Sequence, residues 1–126
     1  MLRVFLFGLS LFSYNVMSHG QYPQTVNEYV VDTHFEFKFT LINGFKKRTC
    51  YEIYINDQVD GTLSRCLMPG ESRDLNVWLM SKPNVQTFNE VCSVSLTSKG
   101  FNTRMCSKVT TYFPAEELGI VGELEK

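Results

Sequence analysis

Charge of one sign is missing from this sequence of 126 residues: twelve Lys and Arg stand against thirteen Asp and Glu. No overall field would hold such a chain on nucleic acid or an anionic surface, so neither is expected as a partner. Histidine is scarce, with only His19 and His34. Ser-His-acid and Cys-His catalysis both need a positioned imidazole, and this leaves little material for either. No Cys-x-x-Cys pair occurs, which removes the usual zinc knuckle. A nucleotide-binding glycine loop and an Asn-x-Ser/Thr sequon are absent too. Glu36, Glu52 and Glu90 are single polar positions on alternating segments, unlike the paired carboxylates of glycoside hydrolysis. These absences argue against an enzyme, and no cofactor is expected.

What is present begins with a leader. Arg3 is the only charge before Glu28, an apolar run covers residues 4–12, and Ser18 and Gly20 are the small residues a signal peptidase needs. Residues 1–20 therefore read as a cleaved signal peptide, with a cut after Ser18 as the alternative. The apolar run is too short to span a bilayer, and nothing later is apolar enough. The mature chain is expected in a periplasm or outside a cell, with no stable insertion in a membrane.

Beyond the leader the hydrophobic period is two. Residues 35–41 alternate Phe35, Phe37, Phe39 and Leu41 with polar neighbours, so those four share one face of a strand. His34 falls on the opposite face. Residues 49–56 place Tyr51, Ile53 and Ile55 together, and residues 57–61 read as a loop. A short strand over 63–68 stops at Pro69-Gly70. Residues 73–81 turn Leu75, Val77 and Leu79 inward, and 88–97 and 101–113 form the last two long strands around Ser98-Lys99-Gly100. Six or seven strands with turns between them and no helical stretch imply an all-β fold. We read residues 21–113 as a small antiparallel β-sandwich, immunoglobulin-like in architecture, with a small barrel as the alternative. Residues 114–126 carry four Glu and one Lys and read as an acidic flexible tail opening on a short helical turn.

Four cysteines in a short exported chain imply two bridges that staple a marginal core. Cys50 and Cys66 flank the 57–61 loop, and Cys92 and Cys106 are symmetric about Lys99. Each pair then faces itself across a hairpin, which favours 50–66 with 92–106. The competing pattern, 50–92 with 66–106, would follow if a four-residue turn at 97–100 shifted the last hairpin.

Two sets of residues are candidates for function. If the leader ends at Ser18, His19 becomes the first residue, and its amine and imidazole could chelate copper with His34 as a second ring. In that first residue alone the chain resembles secreted copper proteins that begin with His, and a small copper-binding protein is the alternative reading. The preferred reading is a non-enzymatic binding or scaffolding module. Residues 21–31 are extended in character without regular alternation, and Tyr29, Val30 and Val31 are apolar residues that no strand pattern explains. In the tail the same holds for Leu118, Ile120 and Val121. Such ends can add as a strand to the sheet edge of another protein. Envelope machines for pili, secretion or conjugation are the expected context.

Overall fold

The structure, a computed structural model, describes residues 19–97 and 102–119. Eight strands follow in order: β1 His19–Tyr22, β2 Thr25–Tyr29, β3 His34–Asn43, β4 Thr49–Ile55, β5 Gln58–Leu67, β6 Ser72–Met80, β7 Gln86–Leu96 and β8 Arg104–Tyr112. They form two sheets, one ordered β1-β3-β6 and the other β2-β8-β7-β4-β5. The all-β sandwich holds. Among the described residues no helix is long and apolar enough to cross a membrane.

The period-two pattern builds the core directly. Phe37, Phe39 and Leu41 of β3 and Leu75, Val77 and Leu79 of β6 point inward from the small sheet. They meet Tyr51, Ile53, Leu67, Val91 and Val109 from the large one. The alternate residues, His34 among them, face out.

Six or seven strands were expected; the two that none of the six segments read from the sequence covers are β1 and β2. The segment 21–31 is no free arm: β1 pairs antiparallel with β3, then the chain crosses to the other sheet, where β2 runs parallel to β8. Pro23 and Gln24 make that crossing, which is why no single alternation runs through the segment. His19 and Gly20, placed with the leader on sequence grounds, are the first two residues of β1 and are buried.

The β4–β5 hairpin also differs from expectation. Its loop is only Asn56-Asp57, both with positive φ (50° and 66°), and β5 starts at Gln58 where a loop over 57–61 was expected. Such a two-residue turn suits the right-handed twist of the flanking strands, and Asn and Asp tolerate the left-handed region. A bulge then re-registers the pair: between Tyr51↔Arg65 and Ile53↔Asp60, Glu52 of β4 faces residues 61–64 of β5. That shift places Cys50 opposite Cys66, and the two are bonded. In the last hairpin Cys92 lies opposite Cys106, the register that symmetry about position 99 requires, and these are bonded as well. The turn residues 98–100 lie outside the described residues.

After β8 the chain stays on the body for several residues. Ala115 is fully buried, the Glu116 N–H donates to Asn84 Oδ1, and the Leu118 N–H closes a turn onto Pro114 O.

Candidate functional site

His19 enters the sandwich interior at the start of β1 and organises a chain of hydroxyls and amides between the sheets. Its Nε2 lies 3.1 Å from Ser93 Oγ, and its Nδ1 meets Thr103 Oγ1. Ser93 Oγ donates to Gln21 Oε1 at 2.6 Å, so it must accept from His19, and the proton sits on Nε2. Nδ1 then accepts from Thr103, whose hydroxyl is 2.9 Å from Ser95 Oγ. On the other side Gln21 Nε2 donates to Val91 O at 2.8 Å and Ser107 Oγ at 2.7 Å, and Ser107 donates to Pro23 O. Every buried side-chain polar atom among the described residues has a partner. Burial lowers the pKa of the His19 imidazole, and a hydrogen bond with Ser93 works the other way. The side chains of the network are buried except that of Thr103, which is partly exposed, and they include no acid; the network joins the two sheets.

The copper pair is not brought together. His19 stands opposite Asn43 at one end of β3, whereas His34 is the first residue of that strand, opposite Met80. Nine residues of extended chain separate them, about 30 Å. Both ring nitrogens of His19 are already in hydrogen bonds. One cluster of potential ligands, Glu90 with Cys92 and Cys106, has its two sulfurs bonded to each other.

Among the end residues, Tyr29 closes β2 and is 82% exposed, with its ring perpendicular to that of Tyr112 at 6.1 Å. The Val30 N–H is held by Tyr112 O, and Val31 is exposed just beyond. Leu118 is half exposed in the turn after Pro114; Ile120 and Val121 lie outside the described residues. Tyr29 is thus part of the molecule's own large sheet, with Val30 tied to its end, so the strand they offer a partner is already paired on one side.

Among the described residues four strands end a sheet: β1 and β6 in the small sheet, β2 and β5 in the large one. They differ in how open they are. β1 is four residues long and mostly buried, β2 has five residues, and β5 is bent by its bulge, a common protection of edges. β6 runs nine residues in unbroken register with β3, with no proline, glycine or bulge. The bonds Ser81 N–H to Thr33 O and Asn43 N–H to Glu71 O bracket the β3–β6 ladder. Alternation between them assigns the odd residues of β6 to β3 and leaves the backbone groups of Ser72, Asp74, Asn76 and Trp78 on the open side. Trp78 and Met80 stand on the outer face of this strand, 68% and 55% exposed. Alternation over 73–81 already turned Trp78 outward, but nothing in the sequence marked β6 as an edge.

No family model matches the chain, and no curated protein matches it. Solved structures do. The periplasmic chaperone SfaE aligns at a TM-score of 0.58 with 8% identity, over 76% of this chain and 58% of that one. The E. coli chaperone DraB gives 0.59 at 14% identity, covering 78% and 56%. A chain of the CsuC–CsuE chaperone–tip adhesion subunit pre-assembly complex, from archaic chaperone-usher Csu pili of Acinetobacter baumannii, gives 0.54 at 12%, covering 87% and 68%. The chain spans just over half the length of the first two. What it shares with these proteins at such identities is the immunoglobulin-like sandwich fold.

Proposed function

We propose that this chain is a non-enzymatic, periplasmic protein-binding module, an accessory part of a bacterial envelope machine such as a pilus. The carrying observation is the open edge of β6, where four residues turn unpaired backbone groups outward beside exposed Trp78 and Met80. A strand from a partner protein would satisfy those groups, and the two large side chains would supply apolar contact. The fold shared with a protein described as a periplasmic chaperone, and with a chain of a chaperone–tip adhesion subunit pre-assembly complex, supports the setting and the class of partner. The disulfides suit an oxidising compartment.

The test is photo-crosslinking in the native envelope from residues placed one at a time at Asp74, Asn76 and Trp78, with Ser64 on β5 as the control edge. A discrete protein adduct from β6 alone is expected. Asn76→Pro removes an outward N–H without breaking a bond to β3, so a folded variant should lose the adduct. Trp78→Ala, on an exposed side chain, should weaken it with the fold intact. Equal adducts from Ser64, or full yield from both folded variants, would overturn the assignment to β6.

A further inference from the structure

On the other side of the molecule, the outer face of the large sheet carries a shallow groove whose lining includes Asn27, Glu28, Tyr29, Gln86, Thr110 and Tyr112. The register sets these residues in two rows. Tyr29, Tyr112 and Gln86 lie side by side across β2, β8 and β7; Asn27, Thr110 and Phe88 form the adjacent row. Tyr29 and Phe88 are 82% and 70% exposed and stand at opposite corners, about 12 Å apart at ordinary strand spacings. The perpendicular contact with Tyr112 braces the Tyr29 ring while leaving it open to solvent.

From this arrangement we infer that the groove is a carbohydrate site, taking an extended neutral oligosaccharide of hexose or N-acetylhexosamine units. A pyranose ring presents an apolar C–H face to an aromatic ring and a rim of hydroxyls to hydrogen-bonding groups, and both halves of that chemistry are here. The Asn27 and Gln86 amides and the Thr110, Tyr29 and Tyr112 hydroxyls are side-chain groups that can donate and accept. None of the five has a side-chain hydrogen bond to another described residue. The two rows contain no charged side chain, which disfavours a sulfated or phosphorylated ligand. The separation of Tyr29 from Phe88 is about the repeat of two linked sugar rings, so one chain would stack on both. A protein partner fits less well. The centre of a protein interface excludes water around apolar anchors, and here each aromatic ring is flanked by amides and hydroxyls that would have to be matched one by one.

The test is a heteronuclear NMR titration of the folded, oxidised protein with chitotetraose, cellotetraose, maltotetraose and mannotetraose, each to about 10 mM, an ordinary ceiling for weak binding. At least one should shift the amides of Asn27, Tyr29, Gln86, Phe88 and Thr110 with a single saturable constant. Tyr29→Ala and Phe88→Ala should each weaken binding by about tenfold, and Gln86→Ala by about threefold. Both aromatic residues are exposed, so an unchanged melting temperature shows that the variants stay folded. Trp78→Ala, on the opposite sheet, should bind as the parent does. Absence of shifts with all four sugars would overturn the inference. So would binding that survives Tyr29→Ala and Phe88→Ala, or shifts at these residues produced only by a protein partner.

Discussion

His19 shows how much one side chain can carry in a core this small. As a neutral ring it donates from Nε2 and accepts at Nδ1, and the hydroxyls on both sides are oriented to match. Protonation would put a second donor against Thr103 and reverse the hydroxyl chain toward Ser95, which already accepts from the Thr103 N–H at 2.8 Å. The folded pKa is lowered, so between that value and the unfolded value near 6.5 only the unfolded chain binds the proton. The stability contributed by neutral His19 is therefore full above about pH 6.5 and is lost as pH falls toward the folded value. Melting temperatures from about pH 7.5 to about pH 5 should fall, and His19→Gln should flatten that slope. Glu71 acts at lower pH: the Met68 N–H and Arg73 hold its carboxylate below the usual range, so its contribution is lost only on further acidification. Tyr51 is a second such residue. Its hydroxyl donates to Asn43 Oδ1 at 2.8 Å, and burial pushes its pKa up to about 12. Tyr51→Phe leaves Asn43 short of one donor and should cost about 1–2 kcal/mol, read from urea unfolding at unchanged m.

At the scale of elements, the two bridges lock different hairpins and should not be equivalent. Cys50–Cys66 holds the bulged edge strand β5 to β4, whereas Cys92–Cys106 joins two central strands. Removing either should cost about 2–5 kcal/mol. The Cys92→Ser/Cys106→Ser pair is expected to lose the cooperative transition, because Val91 and Val109 of those strands are in the core. The Cys50→Ser/Cys66→Ser pair should keep that transition at a lower midpoint, with amide exchange fastest in β5. Equal exchange across both sheets would show that the hairpins do not differ. β1 is the other element with a sharp consequence. A chain made to start at Gln21 lacks half of β1 and leaves Ser93 and Thr103 without the imidazole between them. It should be about 1–3 kcal/mol less stable than one starting at His19.

At the scale of the whole molecule, the end of the body lies beyond β8. Ala115 has no exposed surface, so Ala115→Asp would bury a charge and should lower the melting temperature by about 10 °C or more in differential scanning calorimetry. A tail that began as a loose end at Pro114 would show no such effect. The two proposed sites, the β6 edge and the Tyr29–Phe88 face, lie on different sheets, so a variant in one should leave the other's binding unchanged.

The sequence by itself determined the fold class and the inward faces of β3, β4 and β6, because a period of two is a local pattern. It favoured the observed disulfide pairs by hairpin symmetry but left a second pairing open, and the strand register decided between them. The 50–66 pairing came from symmetry about a loop at 57–61, yet the hairpin turns at Asn56-Asp57, and a bulge makes up the difference. Such a shift leaves no mark in alternation, since it depends on which neighbour the strand meets. β1 and β2 escaped notice because each is short and the chain changes sheets at Pro23, so neither shows enough repeats to reveal a period. The role of His19 was illegible for a related reason: its partners lie 74 and 84 residues away in sequence, and only packing of the two sheets brings them together. The same holds for Trp78, Tyr29 and Phe88. Alternation tells that a side chain faces out, but whether its strand ends a sheet, and which residues lie beside it across strands, is decided by long-range pairing alone.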